Sequence, residues 1–114
     1  MTKEFPRRGE IWMVNFNPGR GSEQMGIRPA LIIQNDTGNR YAATTIVSAI
    51  TTTIKIYPVT VFLPSKTAGL HRDSMVNLAQ LLTVDKSRLI KKMGALTKEL
   101  LEQVNNAIRI SLEV

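Results

Sequence analysis

A chain of 114 residues with 43% apolar residues has the length and composition of one globular domain, spanning residues 1–114. It has no cysteine, which excludes disulfides and Cys-based catalysis, and neither a signal-peptide core nor a membrane-length apolar run, so a cytoplasmic protein without membrane contact is expected. Fifteen Lys and Arg against nine Asp and Glu give a net charge of +6, which favours a polyanionic partner, either nucleic acid or an acidic protein segment.

Two apolar segments near the N-terminus predict strands on either side of a polar loop. Ile11–Phe16 forms the first, and Ala30–Gln34 is an unbroken apolar run typical of a strand buried on both faces. Asn35–Asn39 is a turn cluster, because its residues tolerate positive φ or bond their own backbone. The glycine-rich loop carries a hydroxyl, a carboxylate, an amide and a guanidinium, from Ser22, Glu23, Gln24 and Arg28.

The middle of the chain predicts further short strands. Thr44–Thr51 is rich in β-branched residues, and the alternating segment 59–63 ends at Pro64. Residues 74–84 fit both a helical face and an alternating strand, so periodicity leaves them open. Residues 85–89 predict a short helical turn.

The last segment predicts a helix. Thr97 can cap it, and Glu99 is favourable in its first turn. Apolar residues then recur at helical spacing at Leu100, Leu101, Val104, Ala107 and Ile108. About five short strands followed by one helix predict a small barrel or curled sheet with the helix packed on it.

The residue types of this chain give little indication of a metal or cofactor site. The single histidine, His71, follows a glycine and is expected in an exposed turn, while Asp73 and Asp85 lack partners at ligand spacing. No phosphate-binding, dinucleotide-binding or G-x-S-x-G motif is present. Neither a metal site nor a cofactor is therefore expected.

A loop arginine and a strand-end threonine are the remaining candidates. A fixed guanidinium such as that of Arg28, followed by the stiff Pro29, matches phosphate geometry, and the Thr51 hydroxyl at a sheet edge can donate to a phosphoryl oxygen. RNA cleavage needs little more, because the 2′-hydroxyl is itself the nucleophile. From the residues alone, a surface hairpin with solvated polar residues is the more ordinary explanation of this loop. The basic cluster of Lys86, Arg88, Lys91 and Lys92 is likewise either a solvated face or a phosphate-binding surface.

Three sequence blocks stand in a familiar order and spacing. They are R-G-E-I-W from Arg8, G-S-E-Q from Gly21 and R-P-A-L-I-I from Arg28. Further matches are I-Q-N-D-T-G-N-R from Ile33 and T-V-D-K-S-R-L from Thr83. With these blocks the chain resembles, over essentially its whole length, the MazF/PemK family of toxins, small ribonucleases of bacterial toxin–antitoxin pairs.

The resemblance implies a mainly β fold, an SH3-like small barrel with a C-terminal helix that forms a homodimer. It also implies metal-independent cleavage of single-stranded RNA at a short sequence, with Arg28 and Thr51 as the catalytic residues. The cognate antitoxin is expected to carry an acidic tail that folds onto the basic toxin. RNA contacts are expected from the side chains of Ser22, Glu23, Gln24 and Gln80.

One departure from the family pattern falls next to Gln80. Many members carry an acidic residue where this chain has Ala79, and an arginine where it has Leu82. This chain cannot use those groups, so the turnover rate and RNA sequence preference are expected to differ. Two other functions stay open from the sequence: a non-catalytic nucleic-acid- or protein-binding barrel, and a DNA gyrase poison.

Overall fold

The computed structural model describes residues 5–17 and 26–114, which form seven strands and two helices. Two 3₁₀ turns lie at Thr67–Gly69 and Lys86–Arg88. The helices are α1 (Asp36–Tyr41) and α2 (Lys98–Leu112). The strands are β1 (Glu10–Asn15), β2 (Ile27–Ile32), β3 (Thr44–Thr51), β4 (Thr60–Leu63), β5 (Ser74–Asn77), β6 (Leu82–Asp85) and β7 (Leu89–Ala95).

The strands form an antiparallel sheet in the order β4-β5-β3-β2-β1-β7, with β6 also paired to β3. Strand β3 is shared, because residues 44–47 pair with β6 and residues 50–51 pair with β5. Between these two segments the Ser48 hydroxyl lies 2.9 Å from the carbonyl oxygens of both Asn77 and Gln80. This hydroxyl therefore ties the β5–β6 turn to the centre of the sheet.

The sheet is curled but open, which confirms the predicted mainly β fold with a C-terminal helix and means that the term barrel describes it only loosely. Among the described strands, β4 and β7 are the two edges and do not pair with each other. The 3₁₀ turn after β4 packs on β7 so closely that a Cβ at Gly94 would lie 2.7 Å from the carbonyl carbon of Ala68. The two edges thus approach through a turn and not through a strand ladder.

Two hydrophobic clusters lie on opposite faces of the sheet. The larger contains Leu31, Ile50 and Val76 and is covered by α2 through Val104 and Ala107. The smaller contains Val14, Ala30, Ile32 and Val47. Since consecutive residues of β2 enter both clusters, the predicted burial of this strand on both faces is confirmed.

The turn expected at Asn35–Asn39 is wrong, because α1 begins there. The Asn35 side chain accepts a hydrogen bond of 2.8 Å from the Gly38 N–H and caps the helix. Asn39 is fully buried, and its amide bonds Gln34 and the hydroxyl of Thr45. The side-chain capping typical of turns also begins helices, which is why the pattern misled.

Most other predicted elements are confirmed. Strand β3 has the predicted bounds, the ambiguous segment 74–84 holds the two strands β5 and β6, and Thr97 caps α2 by accepting from the Leu100 N–H. Strand β7 was not predicted. Its sequence L-I-K-K-M-G-A has exposed lysines and a glycine, which suit an edge strand. The same residues lack the alternation of apolar and polar side chains by which a half-buried strand is predicted. Among the described residues, no helix combines the length and apolar character needed to cross a bilayer.

Candidate active site

Arg28 and Thr51 lie at the same end of the β2–β3 pair, just beyond its last paired residues. Strands β2 and β3 pair through Ala30 with Ala49, and the ladder stops there because Pro29 has no N–H to donate. Arg28 is two residues from Ala30, and Thr51 is two residues from Ala49. Because side chains alternate along a strand, both point to the face on which the paired residues Ala30 and Ala49 lie.

Arg28 lies within a strand, not on the loop predicted from the sequence. Strand β2 begins at Ile27, and Arg28 pairs with Val14 of β1. The chain reaches β2 through Gly26, whose φ of +72° suits glycine. The Arg28 side chain is half-buried at the edge of the smaller cluster, and its guanidinium carries a permanent positive charge. A strand fixes this side chain more firmly than a loop would, which suits it to hold an anion.

Thr51 is the last residue of β3. It pairs with Met75 of β5 and is half-buried. Its hydroxyl oxygen accepts a hydrogen bond of 3.1 Å from the Thr53 N–H. A hydroxyl that accepts in this way keeps its own hydrogen for a further acceptor. Thr51 can therefore donate to an anion held by Arg28.

The predicted RNA-binding residues of the first loop fall outside the described residues. Ser22, Glu23 and Gln24 belong to the segment 18–25. The two ends of this segment are described and lie close together, since the Phe16 N–H donates to the Gly26 carbonyl oxygen at 2.9 Å. Gly26 is two residues before Arg28, so the segment starts and ends beside the candidate site.

Gln80 lies in the turn between β5 and β6 and is exposed. Its carbonyl oxygen accepts from Ser48 of β3, three residues before Thr51, so the turn has a fixed place near the end of that strand. Ala79 and Leu82 are exposed on either side of Gln80, with Leu82 47% exposed. These two positions, where the resemblance implied charged groups, therefore present apolar side chains on either side of the amide of Gln80.

The predicted basic cluster divides into engaged and exposed residues. The Lys92 ammonium lies 3.0 Å from a Glu10 carboxylate oxygen. Arg88 donates to backbone carbonyls of Asn15 and Asn17. Lys91 is exposed and Lys86 is half-buried. A uniform solvated or phosphate-binding face is therefore too simple for these four residues.

Glu10 has a structural role at the start of β1. It is only 6% exposed, and its carboxylate accepts from the Trp12 indole and the Arg7 N–H, both at 2.9 Å, in addition to its ion pair with Lys92. Burial alone would raise the pKa of Glu10, but the bonds from Trp12, Arg7 and Lys92 outweigh it and hold the pKa below its ordinary value. The R-G-E-I-W block thus builds an anchored strand end.

His71 lies in an exposed bend, as predicted. Within residues 5–17 and 26–114, no three His, Cys, Asp or Glu side chains converge into a group that could hold a metal ion.

Comparison with known proteins places this arrangement in a family. The model for PemK-like, MazF-like toxins of type II toxin–antitoxin systems matches residues 7–112. The endoribonuclease MazF of Staphylococcus saprophyticus is 48% identical over 109 residues, which cover 93% of this chain and 90% of the relative. The endoribonuclease EndoA of Bacillus subtilis is 44% identical over 108 residues, which cover 93% of each chain. The chain belongs to the PemK/MazF toxin family.

The fold agrees with that membership. A mycobacterial endoribonuclease, solved in complex with its cognate antitoxin, superposes with a TM-score of 0.82 at 24% identity, over 96% of both chains. The resemblance deduced from the motif blocks is thereby confirmed for the family and its fold.

Sequence reasoning about this PemK/MazF chain missed the residues that hold the first loop. Asn17 and Arg88 bond the backbone at its two ends, yet Arg88 stood out only as one charge in a cluster. A partial signal was available, because T-V-D-K-S-R-L is one of the matching blocks and Asn17 begins the loop. Only the pairing of β7 with β1 brings the two together.

Proposed function

We propose that this chain is a metal-independent endoribonuclease toxin that cleaves single-stranded RNA at a short sequence. The observation that carries the proposal is that Arg28 and Thr51 stand at the same end of the paired strands β2 and β3, each two residues beyond the Ala30–Ala49 pair and on its face. The match to a toxin family and the endoribonuclease relatives support the same reaction.

In the proposed mechanism the RNA supplies its own nucleophile. The 2′-oxygen bonds to the adjacent phosphorus and gives up its proton, while the bond from phosphorus to the 5′-oxygen breaks and that oxygen takes a proton. The products are a 2′,3′-cyclic phosphate and a 5′-hydroxyl. Arg28 stabilises the charge that develops on the phosphoryl oxygens, and the Thr51 hydroxyl donates to one of them.

Sequence recognition is proposed for the polar groups around this pair. The hydroxyl, carboxylate and amide of Ser22, Glu23 and Gln24 can bond the edges of unstacked bases, and the exposed Gln80 can do the same from the β5–β6 turn. The exposed apolar side chains of Ala79 and Leu82 offer van der Waals contact and no charge in that region, which should give this enzyme its own site preference.

The proposed assembly is a cytoplasmic homodimer neutralised by an acidic antitoxin. The net charge of +6 per chain supports electrostatic association with an acidic tail. The mycobacterial relative was solved with its antitoxin, which supports the same kind of partner here. A tail that covers Arg28 and the Ser22–Gln24 segment would exclude RNA from the same surface.

The test is cleavage of a mixed single-stranded RNA by the purified protein in EDTA. Arg28→Ala and Thr51→Ala should each slow cleavage by about 10² or more, because each removes a donor aimed at the reacting phosphate. Matched controls are Arg109→Ala on α2 and Thr37→Ala on α1, both exposed, which remove the same groups elsewhere. These controls should cleave like the parent protein.

Other outcomes point to other functions. Tight RNA binding without fragments would indicate a non-catalytic binding domain. Inhibition of DNA supercoiling with intact RNA would indicate a gyrase poison. Near-parental cleavage by Arg28→Ala or Thr51→Ala would remove that residue from the catalytic role.

A further inference from the structure

The segment that carries Ser22, Glu23 and Gln24 leaves and re-enters the sheet through a narrow neck formed by residues 15–17 and Gly26. The Phe16 N–H donates to the Gly26 carbonyl oxygen at 2.9 Å. The Gly26 N–H donates to the Asn17 side-chain oxygen at 3.0 Å. The Asn17 N–H donates to the Asn15 side chain at 2.9 Å. Both strands of the neck are therefore bonded to each other.

Arg88 reaches this neck from a distant part of the chain. Its Nη1 donates to the backbone carbonyl oxygens of Asn15, at 3.4 Å, and of Asn17. The Arg88 side chain is half-buried, so its charge faces these carbonyl dipoles and not only water. One guanidinium nitrogen thus joins two carbonyls of the neck.

The 3₁₀ turn that carries Arg88 is itself held in place. The Asp85 carboxylate accepts from the Ser87 N–H at 2.9 Å, a bond that lowers the pKa of Asp85, and the Lys86 N–H donates to the Ala43 carbonyl oxygen at 2.9 Å. These two hydrogen bonds hold the turn in place, so the Arg88 guanidinium has a fixed position relative to the neck.

The 3₁₀ turn that carries Arg88 is connected to Arg28 through strand pairing. Leu89, the neighbour of Arg88, pairs with Val14 of β1, and Val14 pairs with Arg28 of β2. Arg88 thus bonds the carbonyl oxygens of the residues one and three positions after Val14, which are Asn15 and Asn17. An altered neck would change the entry of the chain into β2, and with it the position of Arg28.

We propose that Arg88 is a positioning residue that sets the neck formed by residues 15–17 and Gly26, and through it the entry of the chain into β2 and the position of Arg28, so that it fixes which RNA sites are cleaved. This inference rests on the proposed endoribonuclease function. The competing role for Arg88 is direct contact with RNA phosphate, in which charge alone would matter.

Amide exchange of the protein without RNA tests the neck directly. In Arg88→Met the Phe16 and Gly26 amides should exchange roughly tenfold to a hundredfold faster, because hydrogen bonds from a charged donor are lost. The amide of Ile11, near the end of β1 that is distant from the neck, should be unchanged. The matched control is Lys91→Met, which removes one positive charge from an exposed position nearby. Unchanged exchange at Phe16 and Gly26 in Arg88→Met would overturn the proposal.

Cleavage of a mixed RNA tests the consequence for function. Arg88→Met should change the relative use of cleavage sites, whereas Lys91→Met should lower the rate at all sites evenly. Arg88→Lys should recover RNA affinity but not the parental site pattern or exchange, because a shorter point charge cannot bridge both carbonyls. If Arg88→Lys restores the site pattern, or if Arg88→Met and Lys91→Met have the same fragments, the role is phosphate contact and the proposal fails.

A second variant covers the case in which Arg88→Met does not fold. Asn17→Ala removes the bond to the Gly26 N–H and should produce the same faster exchange and the same kind of altered site pattern. A parental pattern in this variant would also overturn the proposal. If the parent protein cleaves no RNA, the proposed endoribonuclease function is refuted. The role of Arg88 in holding the neck is tested separately, by the exchange measurement without RNA.

Discussion

Replacement of Glu10 by glutamine should destabilise the fold measurably and in a pH-dependent way. Glutamine keeps the shape and an acceptor for the Trp12 indole and the Arg7 N–H, but both bonds lose their charged acceptor and Lys92 loses its counter-ion. Charge-assisted hydrogen bonds exceed neutral ones by about 1 kcal/mol each, and the pair with the half-exposed Lys92 adds less than about 1 kcal/mol. The loss near pH 7 should be about 2 kcal/mol.

For a chain of this length that loss lowers the melting temperature by roughly 8 °C. The measurement is thermal unfolding by circular dichroism at fixed protein concentration, for the parent protein, Glu10→Gln and the control Lys92→Met. The control breaks the same ion pair from its exposed side and should lower the melting temperature by only about 2–4 °C. The difference isolates the two bonds from Trp12 and Arg7.

The contribution of Glu10 to the free energy of unfolding should depend on pH in a definite direction. The pKa of Glu10 is lower in the folded protein than its ordinary value of 4.5. Its contribution is therefore present above the unfolded pKa and is lost as the pH falls through the folded pKa. The gap in stability between the parent and Glu10→Gln should be constant from pH 8 to about 6 and should shrink below about pH 4.5. A gap that is absent at pH 7, or that does not shrink in acid, would refute this reasoning.

Four further predictions concern the fold, the chemistry and the partner. Gly94→Ala should cost about 1–3 kcal/mol in urea unfolding, since its Cβ would clash with the Ala68 backbone; an unchanged midpoint would contradict that contact. A substrate with 2′-deoxy at the cut position should resist cleavage, and the natural products should carry a 2′,3′-cyclic phosphate with or without EDTA; normal cutting of the deoxy substrate rules out 2′-hydroxyl attack. Gln24→Ala should redistribute cleavage among sites, as read by sequencing 5′ ends, and an unchanged pattern would end its recognition role. An acidic antitoxin tail should compete with RNA and weaken, without vanishing, at high salt; a partner that blocks cleavage but leaves RNA affinity unchanged would point to an allosteric mechanism.

The sequence by itself determined the parts of this protein that depend on local chemistry. The β-branched run of β3, the apolar run of β2 and the capped periodicity of α2 each specify their element through residues that are neighbours in the chain. The family also follows from the sequence, since ordered motif blocks over the whole chain carry it. The sequence also determines which chemical groups are available for catalysis, since it contains one histidine and no cysteine.

Tertiary structure decided what depends on residues far apart in the chain. Strand β7 escaped the sequence because an edge strand with exposed lysines needs only the backbone of β1 to form. Three features depend on how the strands pair: the unpaired edges of the sheet, the position of Arg28 in a strand, and the contact of Arg88 with the neck near Asn17. Register is set by the hydrophobic pattern of each strand together with the turns and the partner strands it meets, and those partners are distant in the chain.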